Sequence, residues 1–180
     1  LQVASNVLHM SPKDTMNVCQ KLYQGGFITY MRTESTSYSK SYIEGACKYI
    51  ENRFNNKKYI GNIEKLENKD INNPHEAIRV TQIGVSNIAS CEDRRMNTMY
   101  KLIWNNSIES CMSSAIYNVS HIKITAPLDN EYVHTIEIPS FLGWKKLGEG
   151  EPTNTENEQT ALRMKLINIA HKGDPITYNT

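Results

Sequence analysis

The sequence predicts a mixed α+β protein in which a helical part is followed by a stranded part. Up to about residue 114, apolar residues recur at helical spacing behind polar residues that can cap a helix. From Ala115 onward, apolar and polar residues alternate, which is typical of half-buried strands. We therefore expect two structural units, residues 1–114 and residues 115–180.

The first predicted helix begins at Ser11. Proline follows this residue directly and Asp14 stands three positions on, a combination typical of a capped helix start. An apolar stripe then continues to the glycine pair at Gly25 and Gly26, where one glycine is expected to end the helix in left-handed backbone. Leu1 begins in the middle of a pattern and without a methionine, so the chain is expected to be a piece of a longer one.

A short strand is predicted at residues 27–33, directly after the glycine pair. The segment is rich in β-branched and aromatic residues, which favour extended backbone. Alternate residues of a strand point to the same side. One face is therefore expected to carry Ile28, Tyr30, Arg32 and Glu34.

Further helices are predicted on the carboxyl side of this segment. Ser41 and Glu44 form a capping box that starts a helix ending near Asn55. The longest helix is predicted over residues 90–112, and residues 61–73 between the two are typical of a polar loop.

A single helical turn is predicted at residues 75–79. It would place His75 and Arg79 on one face, near a helix N-terminus that favours an anion. The alternative is an ordinary surface contact between the two side chains.

The second half of the chain predicts strands at residues 116–125, 132–138, 164–169 and 176–178. Residues 149–160 are polar and contain glycine and proline, which indicates a loop.

Composition restricts the classes of protein that fit. The chain is 39% hydrophobic and 22% charged, as globular proteins are. It has no apolar run of membrane-spanning length and no recognisable secretory signal, so we expect a soluble protein of the cytoplasm, nucleoid or nucleus, with no membrane partner. Four scattered cysteines predict free thiols. A net charge of +1 argues against coating of a duplex, although it allows a local basic groove.

The predicted Tyr30 face combines a phenol, a guanidinium and a carboxylate. A phenol, with an ordinary pKa of about 10, is a poor nucleophile unless a neighbouring cation or base favours the phenolate. Arg32 can provide that cation and can hold a phosphate oxygen through its fork. The alternative is a half-buried strand in which Tyr30 packs and Arg32 pairs with Glu34 on the surface. These residues taken alone favour the alternative.

Two longer motifs change that interpretation. Residues 22–35, LYQGGFITYMRTES, resemble the active-site tyrosine segment of type IA DNA topoisomerases. Residues 74–81, PHEAIRVT, resemble a second signature of the same family. Because both occur in the family's order and a weaker similarity covers nearly the whole chain, the sequence is identified as a member.

The resemblance implies a fold and an activity. Residues 1–114 would form a tyrosine domain of winged-helix or catabolite-activator-like fold, and residues 115–180 part of a β-rich arch. Tyr30 would attack a phosphodiester of single-stranded DNA and leave a covalent 5′-phosphotyrosine and a free 3′-hydroxyl. Another strand would pass and the break would be resealed, without ATP.

The resemblance also implies roles for individual residues. Arg32 matches an arginine that contacts the scissile phosphate, and Glu34 matches a carboxylate that is aspartate in many members. His75 matches a histidine at the DNA backbone beside the tyrosine. Arg79 matches the arginine of the second signature and is expected to bind DNA. Val80 stands where most members have proline.

The family's Mg²⁺ is held by a carboxylate-rich domain upstream of this region, and the chain has no such cluster. The resemblance therefore implies that the metal ligands lie outside these residues and that the missing domain is a partner. The 180 residues alone are expected not to relax supercoiled DNA.

Two other functions remain open from the sequence. One is a non-enzymatic winged-helix module that binds duplex DNA and in which Tyr30 only packs. The other is a strand transferase of the recombinase or type IB kind, because a tyrosine, His75 and Arg79 are all present. Those enzymes place arginines before a C-terminal tyrosine and link to the 3′ phosphate, whereas here the tyrosine comes first.

Overall fold

The computed structural model describes residues 1–68, 75–88 and 93–148, together with Leu162, Arg163, Lys165, His171 and Gly173. The chain divides into two compact units. The first contains Leu1–Ser114 and Gly143–Gly148, and the second contains Ala115–Leu142. The predicted α+β class is confirmed, since helices dominate the described part of the first unit and a hairpin lies in the described part of the second.

Four α-helices lie in the described part of the first unit: α1 at Gln2–Leu8, α2 at Pro12–Gln24, α3 at Lys40–Phe54 and α4 at Arg94–Glu109. The helices bury one apolar face each, and their buried residues form a single cluster. Among its most deeply buried members are Leu22, Ile50, Tyr100 and Ile108.

The ends of α2 follow the predicted chemistry. The Ser11 side chain accepts a hydrogen bond from the Asp14 backbone N–H at 3.1 Å. At the other end, the Phe27 N–H donates to the Leu22 carbonyl and Gly26 has a φ of 73°. This is a Schellman ending, which requires left-handed backbone at the residue that glycine occupies.

Three helix boundaries differ from the sequence prediction. The N-cap residue of α3 is Ser39 rather than Ser41, because the chain is already extended and hydrogen-bonded around residue 38. The helix predicted over 90–112 begins at Arg94 behind an Asp93 cap and ends at Glu109, and residues 89–92 lie outside the described part. Helix α1 was not predicted.

The strand predicted at residues 27–33 is wrong. Within residues 27–33 only Ile28 forms a β-bridge to a described residue, Val80, and the path bends at Met31 and Arg32. A strand needs a neighbouring strand to accept and donate its backbone hydrogen bonds, and the paired contact here is too short.

The second unit contains a two-stranded antiparallel hairpin, β1 at Ile116–Ala126 and β2 at Asn130–Phe141. It confirms the strands predicted at 116–125 and 132–138. Leu128 and Asp129 have φ values of 63° and 56° in the tight turn between the strands. The strands predicted at 164–169 and 176–178 lie outside the described residues except for Lys165, which is helical, and the loop at 149–160 lies outside them altogether.

Three of the four cysteines, Cys19, Cys47 and Cys111, are free thiols as predicted, and Cys91 is outside the described residues. No α-helix in the described part of the chain is both long and apolar enough to cross a membrane.

Candidate functional site

The two sequence motifs meet through backbone hydrogen bonds in the first unit. The Thr29 N–H donates to the Arg79 carbonyl at 2.9 Å, and the Thr81 N–H donates to the Phe27 carbonyl at 3.0 Å. Ile28 and Val80 lie between these bonds and are both buried. The segment that carries Tyr30 is therefore fixed to the segment that follows His75.

The Thr29 side chain is a second tie between the motifs, and sequence analysis missed it. Its hydroxyl donates to the Ala77 carbonyl at 3.0 Å and accepts a hydrogen bond from the Arg79 N–H at 2.9 Å. The partners lie 48 and 50 positions away. Neither hydrophobic spacing nor local propensity carries information about such a contact.

Tyr30 lies at the surface between two other rings. Its side chain belongs to a residue that is 38% exposed. The ring stacks on His75, with centroids 6.3 Å apart and planes 29° apart. On another side the Tyr23 ring, from the last turn of α2, meets it edge-on at 5.2 Å. The phenol is therefore accessible to a ligand while its ring is oriented by two neighbours.

Arg32 and Glu34 are exposed, and the less exposed Met31 and Thr33 alternate with them. The predicted alternation of exposure therefore holds from Thr29 to Glu34, although no strand forms there. Ile28 departs from the expected face, since it is buried in the core. Neither Arg32 nor Glu34 makes a hydrogen bond or ion pair with the described residues, so the surface pair of the alternative interpretation is absent there.

Arg79 is placed differently from Arg32. Its Nε and one terminal nitrogen donate to the two carboxylate oxygens of Glu76 at 2.9 and 2.7 Å. The helical turn predicted at 75–79 does not form, and the hydrogen bonds of this pair and of Thr29 hold the segment in a non-helical path. The shared helical face expected for His75 and Arg79 is therefore wrong.

Glu76 has a pKa below its ordinary value. Burial alone would raise the pKa of this carboxyl, but hydrogen bonds from the Arg79 guanidinium and the Ser39 N–H favour the ionised form and outweigh burial. The carboxylate therefore links the second motif to the residue that precedes α3.

This shift predicts acid sensitivity of the first unit. A carboxyl whose pKa is lowered by folding stabilises the fold above its unfolded pKa, and the contribution is lost as pH falls through the lower folded value. Starting from the ordinary value of 4.5, we expect the free energy of unfolding to fall as the pH drops below about 4.5. Denaturant unfolding of the parent and Glu76→Gln proteins checks this expectation between about pH 3 and 7, roughly the range in which carboxyl groups titrate. Equal acid slopes in the two proteins would contradict the assignment.

The loop after the second motif is anchored on α4. The Trp104 indole N–H donates to the Ile83 carbonyl, and the Tyr100 hydroxyl donates to the Val85 carbonyl, both at 2.7 Å. These bonds satisfy polar groups of two largely buried rings and fix the loop on the helical core.

The described residues do not fit the family's metal. In the ranges 1–68, 75–88 and 93–148 no group of three or more His, Cys, Asp or Glu side chains is arranged to hold an ion.

Comparison with known proteins agrees with both motifs. Residues 1–179 match the family model described as DNA topoisomerase. The chain is 39% identical over 153 residues to DNA topoisomerase 1 of Buchnera aphidicola subsp. Schizaphis graminum, covering 82% of this chain and 17% of the relative. It is 33% identical over 179 residues to DNA topoisomerase 1 of Salmonella typhimurium, covering 98% of this chain and 20% of that protein.

Among solved structures, full-length topoisomerase I from Thermotoga maritima matches with a TM-score of 0.68 and 27% identity, over 84% of this chain and 26% of that chain. All of these proteins fall within one class, the DNA topoisomerases. The chain belongs to the type IA DNA topoisomerase family. It spans about a fifth of the length of these curated relatives.

Proposed function

We propose that these residues form the strand-cleaving part of a type IA topoisomerase and that Tyr30 is the nucleophile. The Tyr30 oxygen attacks a phosphodiester of single-stranded DNA, loses its proton and forms a bond to phosphorus. The bond from phosphorus to the 3′ oxygen breaks, and that oxygen leaves as a hydroxyl. The reverse reaction reseals the strand after another strand has passed, and no ATP is needed because the ester conserves the bond energy.

The observation that carries this proposal is the placement of Tyr30. Its ring stacks on His75 at the point where the two family motifs are hydrogen-bonded together, and the residue remains exposed. A covalent nucleophile needs access to its substrate and a fixed orientation. A tyrosine that only packs does not need access to a substrate.

Two neighbouring side chains have chemistry suited to the DNA backbone. Arg32 is exposed and has no protein partner among the described residues, so its fork is available for the scissile phosphate. His75 is exposed beside Tyr30 and can donate to a neighbouring phosphate. Glu34 is proposed to act on the same side, as the counterpart of the family's carboxylate.

The proposal extends to the fold of each unit and to the partners of these residues. Residues 1–114 are proposed as the winged-helix or catabolite-activator-like tyrosine domain, and 115–180 as part of the arch. The family uses Mg²⁺, and its ligands are proposed to lie in a carboxylate-rich domain outside these residues, which with single-stranded DNA is the expected partner.

The polarity of the covalent link tests the reaction. Single-stranded DNA labelled at either end is incubated with the full-length protein that carries these residues, and the reaction is stopped with detergent. A 5′-phosphotyrosine keeps the 3′ label on the protein and releases the 5′ label. Retention of the 5′ label would indicate the recombinase or type IB chemistry, and retention of neither label would favour a non-enzymatic module.

A further inference from the structure

We propose that Arg79 is a positioning residue that, together with Glu76, holds the His75 segment against Tyr30 and does not itself contact DNA. The proposal rests on the proposed function in assigning the chemistry to Tyr30. It differs from the role that the family resemblance implies for this arginine.

The Arg79 guanidinium is already occupied by protein groups. It makes a two-point contact with the Glu76 carboxylate and also donates to the Val80 carbonyl at 3.1 Å. The two side chains of the pair are only 15% and 25% exposed. A partly buried two-point pair is held by charge-assisted hydrogen bonds of fixed geometry, and removing one partner leaves an uncompensated charge.

The face of the same guanidinium is also covered. Its central carbon lies 4.5 Å from the centroid of the Tyr42 ring, and Tyr42 is buried in α3. This is the distance of a cation–π contact. A phosphate would have to compete with a carboxylate at one edge and could not reach the face against Tyr42. Arg32, in contrast, is exposed and has a fork that no described residue occupies.

The pair is connected to the chain that follows Tyr30. One oxygen of Glu76 accepts a hydrogen bond from the Ser39 N–H at 3.2 Å, and the Ala77 N–H donates to the Ser37 carbonyl at 2.7 Å. Glu76 directly follows His75. The Arg79–Glu76 pair, called the clamp below, therefore fixes the backbone beside His75 to residues 37–39. It thereby also fixes the stacking of His75 on Tyr30.

The salt dependence of DNA binding separates positioning from contact. For single strands, each neutralised phosphate contributes about 0.7 to the slope of log affinity against log salt concentration. We expect Arg79→Gln in the full-length protein to keep the parent slope with oligothymidylate, whereas Arg32→Gln lowers it by about 0.7. A comparable drop in Arg79→Gln would overturn the proposal.

The cleavage rate at saturating DNA is the second readout. Because a misplaced reacting group slows the chemical step, Arg79→Gln and Glu76→Gln are each expected to slow formation of the Tyr30 adduct roughly tenfold to a hundredfold. The double variant is expected to be no slower than the slower single variant, since both remove one clamp. Parent-like cleavage in Glu76→Gln would overturn the proposal, because a DNA contact by Arg79 does not need that carboxylate.

A conservative variant and a matched pair complete the design. Arg79→Lys keeps the charge but loses the fork, so it is expected to cleave slowly with the parent salt slope, and a parent-like rate would overturn the proposal. Lys123→Gln and Glu131→Gln break an exposed ion pair of 3.3 Å in the hairpin and should change neither readout. If Tyr30 is not the nucleophile, the parent itself forms no Tyr30 adduct, while the salt slopes still decide the role of Arg79.

Discussion

Replacing Tyr30 with phenylalanine is expected to abolish the covalent DNA adduct while leaving single-stranded DNA binding close to that of the parent. Only the hydroxyl is removed, so the ring still stacks on His75 and still meets Tyr23 edge-on. Without the phenol oxygen no bond to phosphorus can form. The loss should therefore be complete rather than partial.

The amount of covalent adduct is measured as labelled single-stranded DNA that stays on the protein after detergent treatment. Non-covalent binding is followed separately by fluorescence anisotropy. Tyr23→Phe is the matched control, because it makes the same change on a ring 5.2 Å from Tyr30 at a similarly exposed residue. The control should form adduct at close to the parent rate. Adduct formation by the Tyr30→Phe variant would show that another residue is the nucleophile.

Sequence patterns predicted the presence of α2, α3 and α4 because the signals for a helix are local. The Ser11 cap and the glycine ending of α2 each depend on residues within a few positions of the helix end. The start of α3 differs from the prediction at a residue that makes a contact distant in sequence. The N-cap of α3 is Ser39, whose N–H is bonded to Glu76, 37 positions away.

The interpretation of residues 27–33 as a strand illustrates what propensity cannot supply. β-branched and aromatic residues favour extended backbone, but a strand also needs a partner along its length, and this segment bends at Met31 and Arg32. Val80 provides one bridge to Ile28 and no continuation. The shared exposure of Tyr30, Arg32 and Glu34 was still predicted correctly, although the strand from which it was predicted does not form.

The contacts that build the site could not be predicted from the sequence. The two-point pair of Arg79 with Glu76 was not predicted, since the expected helical turn placed Arg79 beside His75 instead. Thr29 bonds to partners 48 and 50 positions away. Val80 stands where most family members have proline, and the two backbone hydrogen bonds beside it do not involve its N–H. The bridge is made by the N–H groups of Thr29 and Thr81 rather than by that of Val80, so a residue without an N–H would keep both bonds.

Arg32 is expected to contribute directly to cleavage. Arg32→Lys keeps the positive charge but loses the planar fork that holds two phosphate oxygens. The loss of a charge-assisted contact is on the order of 1–3 kcal/mol, which corresponds to a cleavage rate about five- to 150-fold lower. The effect should appear in the first-order rate at saturating DNA, since the fork acts on the phosphate under attack.

Rapid mixing of the full-length variants with excess labelled single-stranded DNA measures that rate. Arg94→Lys is the matched control, because Arg94 is an exposed arginine at the start of α4, outside the candidate site, and its replacement should leave the rate unchanged. His75→Ala removes the ring stacked on Tyr30 and should also slow cleavage, since the phenol loses an orienting neighbour. Parent-like rates in both Arg32→Lys and His75→Ala would make these two residues structural and would leave Tyr30 without identified partners in the reaction.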